Sequence, residues 1–241
     1  MQQRLPLPES DEPRHRVLLS GATGLVGGAV LQRLLRAGEP HEVIAPTRTP
    51  LAVASPRLIN PIHEPRGADR RAAGGLRRVL PALRVDTWIC ALGTTMAKAG
   101  NQAQFVAVDR DLVLQHAAAA RALGARHAIL VSSVGASAKS GSFYLRVKAE
   151  AERGLAEQNF PRVDILRPGL LLGERGERRR AEGIAQALAP LYNPLLVGPL
   201  SKYRAIDAGR VADAVVALVR SGGSGWTVHE YAAMDRLARG D

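Results

Sequence analysis

The chain has 241 residues, 46% of them hydrophobic but only 4% aromatic, enough for one domain of fair size with a core of Leu, Val, Ala and Ile. Its single cysteine, Cys90, excludes an internal disulfide framework, and no run approaches the roughly 18 apolar residues that a membrane-spanning helix needs. The formal net charge of +11 raises nucleic-acid binding. However, the arginines are spread along the chain, and the one dense run, Glu174 to Arg180, has no interleaved aromatics for stacking bases.

That run reads as a solvated basic loop, and nucleic acid is not expected as a partner. Residues 1–15 combine prolines with mixed charges and lack an apolar signal core, which predicts a flexible leader rather than a secretory signal. With the lone thiol, this predicts a cytoplasmic protein.

Beyond the leader, Val17, Leu18 and Leu19 predict a buried strand. Val26, Val30, Leu31, Leu34 and Leu35 then recur at helical spacing up to Gly38. Residues 42–48 predict a second strand and 57–62 a third, followed by a helix around Ala72 to Leu80. The near-continuous apolar run 85–93 predicts a strand covered on both faces, and a long helix follows over 104–124. Next come a strand at 127–133, a helix from Phe143 to Gln158 and a strand at 162–169. Residues 203–222 predict a strand leading into a helix, and 225–231 a final strand. This alternation is the pattern of a doubly wound parallel α/β sheet. Residues 16–241 read as a single domain, with about 170–241 forming a small C-terminal substrate region.

Three motifs carry chemistry. Gly21, Gly24 and Gly27 in "GATGLVG" lie between the first strand and helix. There, glycines permit a tight turn, close approach of backbone to a pyrophosphate and close helix packing. The helix amino terminus adds free N–H groups and a positive dipole end, making Gly21, Thr23, Gly24, Leu25, Val26 and Gly27 candidate dinucleotide contacts. The second strand ends at Arg48 with no carboxylate close by, which favours the 2′-phosphate of NADP(H) over the free ribose of NAD(H). Ala91, Leu92 and Gly93 end the fourth strand on the same edge, Thr94 and Thr95 offer hydroxyls, and Pro168 follows the sixth strand near the nicotinamide end. Cys90 reads as a buried small side chain, and the histidines form no metal-ligand cluster.

The third motif is "SSVGASAKSGSFYLRVKAEAE". Tyr144 and Lys148 are four residues apart, so they share one helix face. An ammonium there favours a tyrosinate, which suits proton exchange with a carbonyl or alcohol while hydride moves to or from a nicotinamide. A serine hydroxyl, Ser133 or Ser132, would orient the same oxygen, and Lys148 would also hold the nicotinamide ribose as a cofactor contact.

With "GATGLVG", "ALGTT", "LVSSVGA", "YLRVK" and "ILRPG" in this order, the chain resembles the short-chain dehydrogenase/reductase superfamily. "FYLRVKAEAE" and "LRPGLLLGER" give it a closer likeness to the atypical, Tat-interacting-protein-like oxidoreductases. The resemblance implies a Rossmann fold, a bound nicotinamide cofactor and a catalytic set of Ser133 (or Ser132), Tyr144 and Lys148. Two departures stand out: Asp109 occupies the place where many members have asparagine, and only ten residues separate Ser133 from Tyr144. The C-terminal region is also short for the substrate domain of sugar-nucleotide epimerases. The expected activity is NADPH-dependent reduction of a small carbonyl substrate by a monomer or homodimer. The alternative is an NADP(H)-binding regulatory or redox-sensing protein without turnover.

Overall fold

Val17 and Leu19 face one hydrophobic cluster and Leu18 the other, all three without solvent exposure; this period-two alternation is what a central strand covered on both faces requires. The computed structural model describes residues 15–36, 41–63, 80, 84–173, 193 and 196–241. The expected helix around Ala72 to Leu80, apart from Leu80 itself, and the basic run Glu174 to Arg180 lie outside the described residues.

Strand β1 (His15–Ser20) leads through the glycine turn into helix α1 (Leu25–Leu34). Strands β2 (His41–Ile44), β3 (Leu58–Ile59) and β4 (Thr87–Cys90) follow, then short helices α2 (Met96–Ala99) and α3 (Gln102–Val106). A widened π turn (Ala107–Leu112) joins α3 to α4 (Val113–Ala122). Strand β5 (His127–Val131), helix α5 (Phe143–Ala156) and strand β6 (Arg162–Leu166) complete the main crossovers. Short strands β7 (Leu171–Leu172) and β8 (Ile206–Asp207), helix α6 (Ala208–Arg220), strand β9 (Gly225–His229) and helix α7 (Tyr231–Arg239) close the chain.

All neighbours in the seven-stranded sheet are parallel, in the order β3-β2-β1-β4-β5-β6-β9. The order reverses between β1 and β4, which places the ligand-binding crevice of an open α/β sheet at their carboxyl ends. Helices α1 and α6 and Met234 of α7 pack one face through Val30, Leu34, Val211 and Val215. The other face is filled by Trp88, Val113, Ala117, Ala151 and Leu155. Trp88 stacks on Phe160 with ring centroids 6.1 Å apart. Its indole N–H donates to Ser20 Oγ (2.9 Å), leaving the serine hydroxyl free to donate to His116 Nδ1 at 2.7 Å. Burial pushes His116 down to about 3, so the imidazole is neutral and able to accept.

Three expectations change in detail. The third strand shrinks to two residues plus an isolated bridge from Thr47 to Ile62, because the prolines at 56 and 61 supply no backbone donor. The long helix at 104–124 is interrupted by the π turn. Helix α7 was not anticipated, since Met234 is its only buried residue, with Tyr231 and Leu237 only partly buried against the core.

Candidate active site

The glycine turn is built by contacts that no side chain could share. Gly21 has φ +87°, and a Cβ there would lie 2.6 Å from the carbonyl carbon of Ala91 and 2.8 Å from the nitrogen of Leu92. A Cβ on Gly27 would lie 2.1 Å from the carbonyl oxygen of Gly21, so helix α1 is packed directly on the turn. This brings the first motif against the end of β4. Thr23 and Gly24 are exposed at the lip. Gly24 caps α1 without a side-chain hydrogen bond, and no acidic residue occupies the first helical turn. The amino terminus of α1 therefore presents its dipole to an incoming anion without internal competition. Arg48 is exposed beyond the end of β2.

The second half of the site lies where the end of β4 meets the π turn and α5. Lys148 is buried on α5, with its Nζ 2.7 Å from Asp109 Oδ1 and 5.8 Å from the centroid of the Tyr144 ring. Asp109 Oδ2 accepts from the Thr94 backbone N–H (2.8 Å), which ties the loop after β4 to the π turn. Asp109 Oδ1 meets the ammonium as an ion pair but has no aligned hydrogen bond. Gly93 is exposed, and a Cβ on it would lie 3.6 Å from Lys148 Nζ and 3.5 Å from Asp109 Oδ1. Glycine at this position leaves the buried ion pair approachable. The Thr95 hydroxyl is engaged as the cap of α2, accepting from Lys98 N–H.

Burial pushes the Lys148 pKa down, but the charges of Asp109 and Tyr144 outweigh it and the net shift is upward, which keeps the ammonium charged. Burial pushes the Cys90 thiol up to about 12, so it is uncharged beside this pair. The Tyr144 ring is half-buried and tilted against Phe105, with centroids 5.6 Å apart.

The two serines part company. Ser132 is buried and donates to Glu152 Oε1 at 2.5 Å; Glu152 in turn binds the Arg167 guanidinium through contacts of 3.0 and 2.5 Å. This knot joins the end of β5 to α5 and the "RPG" segment, and it occupies the Ser132 hydroxyl. Ser133 is half-buried, and its hydroxyl has a single long contact, 3.4 Å to the Val134 carbonyl. The Val134 N–H donates to the Pro168 carbonyl (2.9 Å), which places Pro168 beside the serine loop.

The structure therefore unites Gly21 with Ala91 and Leu92, Lys148 with Tyr144, Gly93 and Asp109, and Pro168 with the loop of Ser133. Arg48 stands apart from these groups at the end of β2. Sequence reasoning missed the pairing of Asp109 with Lys148 and the role of Glu152. The signal for Glu152 was present: it lies four residues beyond Lys148, so a second charged side chain follows on the same face of α5.

Comparison with known proteins gives the family of the chain. A family described as NAD(P)H-binding matches residues 21–221. The mitochondrial FMP52 protein of Lodderomyces elongisporus is 33% identical over 208 residues, covering 81% of this chain and 84% of that protein. The mitochondrial FMP52 protein of Emericella nidulans is 38% identical over 176 residues, 72% of this chain and 74% of that protein. HTATIP2 of Rattus norvegicus is 46% identical over a shorter stretch, 42% of this chain and 41% of that protein.

Among solved structures, the UDP-glucose 4-epimerase of Thermotoga maritima superposes with a TM-score of 0.66 at 14% identity, covering 93% of this chain and 80% of the other. The human epimerase family protein SDR39U1 with NADPH gives 0.57 at 21% identity, covering 89% and 74%. These two likenesses show the fold alone.

The names of the fungal relatives overturn the cytoplasmic expectation and point to the mitochondrion. A lone cysteine does not separate the cytoplasm from the mitochondrion, because it only speaks against a disulfide framework. Among the described residues, no helix is long and apolar enough to cross a membrane. The glycine turn, the Tyr144/Lys148 face and the matched span together place the chain in the NAD(P)H-binding family, as an atypical, Tat-interacting-protein-like short-chain dehydrogenase/reductase.

Proposed function

We propose that the protein is an NADP(H)-dependent oxidoreductase that reduces a small carbonyl compound, with Tyr144 as the general acid/base. The observation that carries this reading is the Lys148 ammonium, held charged behind Gly93 and one helical turn from Tyr144. The uncapped start of α1, with the close glycine packing at Gly21 and Gly27, fits a dinucleotide pyrophosphate. Thr23, Gly24, Leu25 and Val26 would line it, Ala91, Leu92 and Gly93 would pass the ribose, and Pro168 would border the nicotinamide end. When bound, the nicotinamide supplies the hydride.

The chain's own residues handle the proton. Tyr144 delivers it to the carbonyl oxygen, Ser133 hydrogen-bonds the same oxygen, and Lys148 holds positive charge beside both. Ser133 rather than Ser132 takes this role because the Ser132 hydroxyl is committed to Glu152. Arg48, exposed and without a carboxylate close in sequence, supports the phosphorylated cofactor. Epimerase chemistry is not adopted, since the likeness to epimerase-named structures rests on 14% and 21% identity and shows the fold alone. A regulator that binds NADP(H) without turnover would use Lys148 only to anchor the ribose and would need no tyrosine one helical turn before it.

The test is to titrate the purified protein with NADPH and NADH, then follow loss of reduced nicotinamide against aldehydes, ketones and quinones. Tighter NADPH binding, weakened about tenfold toward the NADH level in Arg48→Ala, together with turnover on at least one class, is expected. Failure to bind either cofactor would overturn the reading.

A further inference from the structure

The ion pair at the site has a consequence beyond holding α5 in place. Lys148 faces the anionic Asp109 at 2.7 Å, and both side chains are almost wholly withdrawn from solvent, where charges are poorly screened. The ammonium therefore does not act on Tyr144 alone. Its attraction for a phenolate is opposed by the carboxylate behind it. The π turn produces this arrangement: the widened turn at Ala107–Leu112 buries Asp109 against the loop after β4, and the Thr94 N–H pins its other oxygen.

The remaining charges facing this helix offer little competition. The Cys90 thiol on β4 is uncharged. Arg110 is engaged with Asp111 and Glu150, both at 2.8 Å, on the half-exposed outer side of the π turn and α5. Ser133 on the β5 side does not ionise. Glu152, on the same face of α5, is paired with Arg167. Among the described residues, Asp109 and Lys148 form the buried ion pair that lies against the Tyr144 ring.

We infer that Asp109 is a positioning residue that counterbalances Lys148 and keeps Tyr144 in its proton-donating form to higher pH than the lysine alone would allow. This rests on the assignment of Tyr144 and Lys148 made above. Reduction takes hydride from the cofactor and a proton from the phenol, which solvent then restores. Oxidation would need the phenolate as acceptor. A neutral side chain at position 109 would leave the ammonium unopposed and favour the phenolate.

The experiment is an ultraviolet difference titration of tyrosinate without cofactor or substrate. Subtracting Tyr144→Phe removes the signals of Tyr192, Tyr203 and Tyr231. The Tyr144 transition is expected to fall in Asp109→Asn by about one pH unit or more, the effect of removing a poorly screened charge nearby. It should rise in Lys148→Met and return close to wild type in the double variant. The alkaline limb of the reduction pH profile should move with it. If Asp109→Asn does not fold, Lys148→Met compared with the double variant isolates the same carboxylate. A transition unmoved by loss of Asp109, in either background, would overturn the inference; a purely structural Asp109 would lower thermal stability and leave the midpoint in place. Because the titration uses no NADPH, a protein without turnover would leave this result unaffected.

Discussion

Two buried carboxylates, one within the sheet and one on the π turn beside it, have opposite surroundings. Asp164, in the middle of β6, has every oxygen partnered: His229 Nε2 lies 2.7 Å from Oδ1, and His127 Nε2 (2.8 Å) and Arg162 Nε (2.7 Å) meet Oδ2. Asp109 is equally dry, but its Oδ1 has only the off-line ammonium of Lys148 and lies behind an exposed glycine. The first cluster joins three neighbouring strands, β5, β6 and β9, and both of its carboxylate oxygens are hydrogen-bonded within the sheet. The second keeps a charge and an unaligned oxygen beside an opening. A fully satisfied buried network acts as scaffold, whereas an incomplete one at the carboxyl edge of the sheet is where chemistry can act.

The sharpest way to break this contrast is to remove the scaffold carboxylate. Asp164→Ala leaves Arg162 and two imidazoles without their common acceptor and should cost about 3–5 kcal/mol in urea unfolding. The same cluster sets an acid limit. Burial pushes the Asp164 carboxyl up, but hydrogen bonds from His127 and His229 outweigh this and hold it well below the usual carboxylate range. Burial holds His127 below its ordinary 6.5, against the opposing hydrogen bond to Asp164. A histidine that resists protonation when folded loses stability for the fold as pH falls below about 6.5. A depressed carboxylate adds a further loss below its ordinary value of about 3.8. Thermal midpoints should therefore fall on acidification through this window; in Asp164→Ala the loss below about 3.8 should disappear, while the loss below about 6.5 persists because His127 is then without the carboxylate that raises it. An equal slope below about 3.8 in both proteins would remove Asp164 as the cause.

The smallest effect separates the serines. Ser132→Ala deletes one donor to Glu152 and should cost about 1 kcal/mol of stability with turnover nearly intact. Ser133→Ala should leave stability within about 0.5 kcal/mol and lower kcat instead. The reverse pattern would exchange the roles of the two residues.

Legibility in the sequence followed distance along the chain. The glycine turn and the Tyr144/Lys148 face were readable because a strand–turn–helix and an i, i+4 pair are local patterns. The β1–β4–β5–β6 framework was readable from apolar runs such as Val17 to Leu19 and Ile89 to Cys90. Which serine turns inward was not, since it depends on Glu152 arriving from another element. Asp109 stands far from Lys148 in sequence, and a π turn within an otherwise helical pattern leaves no periodic signature. Asp164 between His127 and His229 was invisible for the same reason: three strands must first assemble in register. Short elements such as β3 and β8 are decided by tertiary pairing rather than by propensity.

The most direct measurement compares Tyr144→Phe with wild type for NADPH-dependent carbonyl reduction, at saturating NADPH and with cofactor binding measured on both proteins. The expected result is unchanged NADPH affinity with a turnover loss of about 10²–10⁴-fold, the range for removing a general acid. Equal turnover in the two proteins would contradict the assignment of Tyr144 as the proton donor.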